Sequence, residues 1–129
     1  MDLNKLAKDI RDNAVAHGFA DDRNFGEIIA LIHSEASEAL EEWRNGHKPT
    51  EIYYHNRNSY TANSWPVGVY AFTDEEHNII KPEGIPIELA DIIIRVLNYC
   101  GAHNIDIEYA ITTKMAYNST RPYKHGREH

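Results

Sequence analysis

The chain contains a single cysteine, Cys100, among its 129 residues. One thiol cannot form an intrachain disulfide, and it also excludes a structural zinc site built from several cysteines of one chain. No apolar run approaches the length that spans a membrane, and the N-terminus has no signal-peptide apolar core. We therefore expect a cytoplasmic protein without a membrane partner.

Basic residues are also scarce. Lysine and arginine number 13 against 20 aspartate and glutamate residues, and the formal net charge is −7. A net acidic chain is a poor general binder of nucleic acid, so we expect no nucleic-acid partner. The length and the 42% hydrophobic content are those of a soluble globular protein, and they predict one domain over residues 1–129.

Apolar residues at helical spacing predict four helices. The expected helices are 3–17, about 24–45, 84–100 and a fourth that follows a cap at Asn104 or Asp106 and runs to about Thr120. Asn24, with Glu27 three residues later, resembles a capping box at the start of the second helix. Gly101 is expected to break or end the third helix. The expected core-facing residues of the fourth helix are Ile105, Tyr109, Thr112 or Thr113, and Ala116.

Residues 47–83 interrupt this pattern with three prolines and several tyrosines. Val67–Phe72 has the composition of a strand, and Asn78–Lys81 is its candidate partner. The segment therefore predicts an irregular or short β-hairpin insertion, or a lid, between the second and third helices. A surface insertion without a role stays open as the alternative.

The third helix is apolar almost all the way round, which predicts that it is buried. Yet Glu88, Asp91, Arg95 and Asn98 recur at spacings of three, four and three, so they form one row along the helix. A charged row on a buried helix is costly unless it is paired. We expect Arg95 to pair internally with the carboxylates.

A second acidic pair, Glu35 and Glu38, lies on the second helix at the same spacing of three. If the two helices pack together, four carboxylates converge and repel one another unless they are protonated or bridged by cations. Oxygen ligands suit Mg²⁺, Mn²⁺ or Ca²⁺ rather than zinc. A solvated acidic face is the alternative for this pair taken alone.

The fourth helix carries Lys114, Asn118 and Arg121 at spacings of four and three, and Lys124 follows. Side chains of this kind near a carboxylate-bound metal suit a polyphosphate, because they neutralise the phosphate oxygens that the metal leaves free. The alternative for Arg121 and Lys124 is that they complement the dipole at the helix C-terminus.

Three stretches together resemble the MazG-like all-α nucleoside triphosphate pyrophosphohydrolases. They are Ile32–Glu42 with Glu35-x-x-Glu38, Lys81–Asp91 with Glu88-x-x-Asp91, and Lys114–Gly126 with its basic residues. The resemblance implies a four-helix bundle completed by formation of a homodimer or homotetramer. It also implies Mg²⁺-dependent hydrolysis of a (deoxy)nucleoside triphosphate to the monophosphate and pyrophosphate.

By the same resemblance, the metal ligands and catalytic residues would be Glu35, Glu38, Glu88 and Asp91. Substrate would contact Lys114, Asn118, Arg121 and Lys124. A phosphoribosyl-ATP pyrophosphohydrolase and a non-enzymatic acidic interaction module remain the alternatives. A di-iron carboxylate bundle is disfavoured, because both acidic pairs end in Glu or Asp where that site needs His.

Overall fold

A computed structural model describes residues 2–18, 23–55, 61–62 and 80–122. Its elements, in chain order, are α1 (Leu3–Ala16), α2 (Phe25–Arg44), β1 (Tyr53–His55), β2 (Thr61–Ala62), β3 (Lys81–Glu83), α3 (Ile85–Ala102) and α4 (Ile107–Ser119). The described part of the chain is mostly helical, which confirms the predicted all-α class. None of its helices is both long enough and apolar enough to cross a membrane.

The chain divides into two compact units. One comprises Met1–Asp21 together with Val96–His129, and the other comprises Asp22–Arg95. The first unit therefore holds α1 and α4, and the second holds α2 and the sheet. The single-domain organisation over 1–129 stays a prediction.

Polar side chains cap three of the helices. The Asp2 carboxylate accepts a hydrogen bond from the Lys5 amide at the start of α1, and the Asn24 side chain accepts one from the Glu27 amide at 2.9 Å. Asp106 caps α4 by accepting from the Tyr109 amide at 3.0 Å. These bonds satisfy amides that have no partner inside the helix. The predicted cap at Asn24 is confirmed, and Asp106 caps the last helix.

A three-stranded antiparallel sheet lies between α2 and α3 in the sequence, with strand order β2-β1-β3. In its register Tyr54 pairs with Ala62 on one side and with Pro82 on the other. The predicted strand Val67–Phe72 and residues 78–79 lie outside the described residues. Lys81 does enter a strand, but that strand pairs with β1, which the sequence pattern did not predict.

Gly84 joins β3 to α3 at a point where the backbone has little room. Its φ of 126° is one that residues with a Cβ rarely adopt, and a Cβ there would collide with the Glu51 carbonyl oxygen. The start of α3 is therefore held against the segment that precedes β1. This contact fixes the start of α3 and therefore the position of Glu88 in its first turn.

The core of the first unit is built around Ala7, Leu97 and Cys100, which are all buried. The prediction that Gly101 breaks or ends the third helix is wrong, since α3 continues to Ala102. A Cβ on Gly101 would collide with the Ala7 carbonyl oxygen and would lie 2.9 Å from Cβ of Arg11. The glycine therefore permits close packing of α3 on α1, and this need overrides its low helix propensity.

Two burial predictions are corrected by the structure. The expected core residues of α4 are all exposed: Ile105, Tyr109, Thr112, Thr113 and Ala116. The third helix is apolar all round but not buried all round, because Leu89, Ile93 and Ile94 are exposed. Periodicity identifies an apolar face, but it does not say whether the same chain covers that face.

We predict that Gly101→Ala lowers the free energy of unfolding by about 1–3 kcal/mol, because the added methyl group overpacks the α1–α3 contact. Gly26→Ala is the matched control, since Gly26 is the other helical glycine and a Cβ there meets only Asn24 Oδ1 at 3.3 Å. Urea unfolding measures both changes. Equal or greater stability of Gly101→Ala would contradict the packing role.

Candidate metal centre

Glu35, Glu88 and Asp91 form the acidic cluster of this chain's second unit. Each offers a carboxylate oxygen, and the three oxygens lie within 4.8 Å of one another. Glu35 comes from α2, and the other two come from the first turns of α3. Three of the four predicted metal ligands are therefore brought together by the fold.

Burial sets this cluster apart from an ordinary acidic surface. Glu35 is the only buried residue of the 20-residue helix α2, with 9% of its surface exposed. Glu88 is 8% exposed, and Asp91 is half-buried. Carboxylates are almost never buried unless they are paired. The solvated-face alternative for Glu35 is therefore wrong.

Burial and the neighbouring carboxyl groups raise the proton affinity of Glu88 and Asp91. Burial, followed by a hydrogen bond and charge repulsion from Glu38, raises the pKa of Glu88 to about 7. Burial and the negative charge of Glu35 also raise the pKa of Asp91, against the opposing charges of Arg95 and Lys81. The cluster therefore favours a bound positive charge, whether a proton or a metal ion.

One oxygen of the cluster is suited to bind a cation. Glu88 Oε2 is buried and has no hydrogen-bond partner among the described residues. A buried carboxylate oxygen without a partner is costly, and a metal ion would remove that cost. The donor set consists only of oxygens, which suits Mg²⁺ or Mn²⁺. The residues present therefore fit a divalent cation.

Glu38 occupies a different position from the other three predicted ligands. Its side chain is exposed and lies outside the cluster of Glu35, Glu88 and Asp91. It is close enough to Glu88 to share a hydrogen bond with it. Two carboxyl groups can share such a bond only if one of them is protonated. Its role as a metal ligand stays a prediction.

Arg95 pairs with a carboxylate, as predicted, but its partner is Glu35 of α2 rather than a carboxylate of its own row on the third helix. Its Nε and Nη2 atoms lie 3.0 Å and 2.9 Å from the same oxygen, Glu35 Oε1. The guanidinium is thus an internal counter-charge of the acidic cluster. This contact joins α2 to α3 within one unit.

The predicted substrate contacts belong to the other unit. Lys114, Asn118 and Arg121 are exposed on α4 and directly after it, and Lys124 lies outside the described residues. The Lys114 ammonium lies 5.0 Å from the centre of the Tyr117 ring, and the Arg121 guanidinium lies 5.7 Å from it. Both cations therefore share one aromatic ring. Substrate contact by these residues stays a prediction.

The sequence analysis missed a polar cluster where the sheet meets the end of α2. The Tyr53 hydroxyl donates to Glu42, with both carboxylate oxygens at 2.9 Å. The His47 ring stacks on Tyr53 at 4.5 Å, and its nitrogens lie 2.9 Å from Glu51 and 3.4 Å from Glu42. The position of Glu42, four residues after Glu38, was the available signal. Its tyrosine partner lies in a segment without periodicity.

These contacts tie the segment that contains β1 to the last turns of α2. Burial and the bond to Glu42 raise the pKa of Tyr53 above its ordinary value, so the hydroxyl keeps its proton. The hydrogen bond from His47 lowers the pKa of Glu51. Glu42 is bound by Tyr53 and His47 in this network, and it is not a member of the acidic cluster.

Comparison with known proteins adds no relative to this description. The chain matches no protein-family model, no curated protein and no solved structure. The chemistry of the acidic cluster itself must therefore support the functional argument.

We predict that Glu88 makes the metal-free protein less stable as the pH rises. Below its ordinary pKa of 4.5, Glu88 is protonated in both the folded and unfolded states and carries no penalty. Between that value and about 7, the folded state retains a proton that the unfolded state has lost, so stability falls with rising pH. Above that window the loss is complete and constant.

Thermal unfolding between pH 4 and pH 8, in the presence of a chelator, measures this effect. The wild-type melting temperature should fall more steeply across the window than that of Glu88→Gln, which cannot ionise. Excess Mg²⁺ should flatten the wild-type curve, because the cation replaces the proton. Parallel curves for the two proteins would show that Glu88 does not titrate in this way.

Proposed function

We propose that this protein is a Mg²⁺-dependent nucleoside triphosphate pyrophosphohydrolase. The observation that carries the proposal is the buried cluster of Glu35, Glu88 and Asp91, with its unpartnered oxygen on Glu88. The two acidic pairs and the basic run also resemble the MazG-like family, whose members cleave nucleoside triphosphates. The products are the nucleoside monophosphate and pyrophosphate.

In this proposal Glu35, Glu88 and Asp91 would hold the cation, with Glu38 beside Glu88 as the fourth expected ligand. When bound, Mg²⁺ supplies charge neutralisation of the triphosphate and lowers the pKa of water. Glu88 would need no proton once a cation is present, because the positive charge stabilises the ionised carboxylate against the burial and the repulsion that raise its pKa. An oxygen of the exposed Glu38 that does not bind the cation would then be available to orient water or to accept its proton.

Lys114, Asn118, Arg121 and Lys124 contact the phosphate groups in this proposal. The first three are exposed in the structure, so their donors are accessible to a ligand. Lysine and arginine offset the charge that develops on the departing pyrophosphate. Mn²⁺ is expected to replace Mg²⁺, because both metals accept oxygen ligands.

A second copy of the chain covers the exposed apolar residues of α3 and α4 in this proposal. Ile93 is 55% exposed and Met115 is 65% exposed, and each has exposed apolar neighbours on its own helix. Exposed apolar groups of this kind mark association surfaces. The homodimer or homotetramer implied by the family resemblance accounts for them.

The burial of Glu88 disfavours the non-enzymatic alternative, in which an acidic surface docks a basic partner. A docking charge must remain accessible, and Glu88 is 8% exposed. Phosphoribosyl-ATP also carries a triphosphate whose hydrolysis releases pyrophosphate, so it is included in the substrate panel. We expect a cytoplasmic location, because nucleoside triphosphates occur in the cytoplasm.

We expect the purified protein with Mg²⁺ to release pyrophosphate from at least one standard or modified nucleoside triphosphate. Asp91→Asn and Glu38→Gln should lower that rate by about 100-fold or more, because ligand loss exceeds the roughly 10–100-fold cost of losing a residue that supports a ligand. Chromatography of the nucleotide products, with circular dichroism to confirm folding, measures the outcome.

Glu41→Gln is the matched control for these variants. Glu41 lies on the same helix but is exposed, with only a 3.8 Å surface ion pair to Arg44. Its activity should equal that of the wild type. The absence of pyrophosphate from the whole panel, with phosphoribosyl-ATP included, would refute the enzyme proposal.

We also expect a mass two or four times that of the 14.8 kDa chain in sedimentation experiments. Ile93→Asp and Met115→Asp should shift the distribution towards the monomer, because each places a charge in an apolar contact. Asn13→Asp on the exposed side of α1 adds the same charge and should leave the mass unchanged. A monomeric wild-type protein at micromolar concentration would refute the association.

A further inference from the structure

Arg95 binds Glu35 in an arrangement that differs from the usual fork between arginine and a carboxylate. In that fork, two guanidinium nitrogens each donate to a different oxygen. Here Nε and Nη2 both converge on Oε1 of Glu35, at 3.0 Å and 2.9 Å. Among the described residues, the hydrogen bond from Arg95 goes to Oε1, and none goes from Arg95 to the other oxygen of Glu35.

This geometry separates two roles that a positive charge can have beside an acidic cluster. A guanidinium that occupied both oxygens would compete with a metal ion for Glu35. A guanidinium that binds only one oxygen can hold the carboxylate in place while the other oxygen binds the metal. The side chain of Glu35 is 12% exposed, so few water molecules compete for this orientation.

We propose that Arg95 is a positioning residue that orients Glu35 as a metal ligand through one oxygen. This inference rests on the proposed metal site and goes beyond it by assigning the Arg95–Glu35 contact to metal affinity. Hydrogen bonds to ligating carboxylates fix their orientation, and their loss typically weakens metal binding by about 10–100-fold. The expected change therefore has a definite sign.

The sign is informative because simple electrostatics predicts the opposite change. Removal of a positive charge close to a cation site should strengthen cation binding, since like charges repel. Arg95→Met keeps much of the side-chain volume and removes both the charge and the donors. Weaker binding by this variant would show that orientation outweighs repulsion.

The experiment is a titration of the metal-free protein with Mn²⁺ alone, followed by electron paramagnetic resonance of the free ion. We expect Arg95→Met to raise the dissociation constant by about 10-fold or more. Arg95→Lys keeps the charge but lacks the two-donor fork, and it should also raise the constant, by a smaller factor. The increase in melting temperature with Mn²⁺ gives a second measurement of the same affinities.

Lys81→Met is the matched control. The Lys81 charge also acts on Asp91, but its side chain is 74% exposed and its ion pair is with Glu83 at 3.6 Å. This variant loses the same charge without losing a bond to a ligand, so its Mn²⁺ affinity should be unchanged or slightly stronger. A loss of affinity equal to that of Arg95→Met would show that the loss does not require a bond to Glu35, and it would overturn the positioning role.

Two further outcomes separate this inference from the proposed function. If the wild type binds Mn²⁺ and both Arg95 variants bind it equally well or more tightly, the positioning role is wrong and the metal site stands. If the folded wild type does not bind Mn²⁺, the metal site itself is refuted, and the role of Arg95 falls with it. Should Arg95→Met fail to fold, the Mn²⁺ affinity of Arg95→Lys decides instead. Weaker binding than the wild type supports the positioning role, and equal or tighter binding refutes it.

Discussion

Glu35, Glu88 and Asp91 place three carboxyl groups within 4.8 Å of one another, and two of these groups are hidden from water. Their repulsion is the constraint on which this part of the molecule depends. A proton relieves it, as the pKa of about 7 for Glu88 indicates. Arg95 relieves it further at Glu35. A divalent cation would relieve it most completely, because it brings two positive charges to oxygens that already converge.

The surrounding structure holds these groups together through a turn that requires glycine and through a polar network. Gly84 adopts a φ of 126° where the chain enters α3, beside the Glu51 carbonyl. The neighbouring network of Tyr53, Glu42 and His47 fastens the sheet to the end of α2. A buried charged cluster requires such support, because carboxylates that repel one another would otherwise separate into solvent. The sheet thus supports α2, the helix that carries Glu35.

Apolar residues are exposed on both α3 and α4. The sequence of α3 has the composition of a buried helix, yet Leu89, Ile93 and Ile94 are exposed. Apolar surface of this extent is uncommon on a helix that functions alone in water. A second copy of the chain would explain why a helix with so few polar residues retains this composition.

The sequence alone was sufficient to predict four helices and the Asn24 cap, because these depend on local spacing. It indicated from charge that Arg95 needs a carboxylate partner, but not that this partner is Glu35 of α2. It also identified both acidic pairs. Only the tertiary structure showed that Glu35, Glu88 and Asp91 form the cluster while Glu38 lies outside it. It also placed Gly101 against α1 and paired β1 with β3. Those outcomes depend on contacts between residues far apart in the chain, and helical periodicity contains no information about which faces meet.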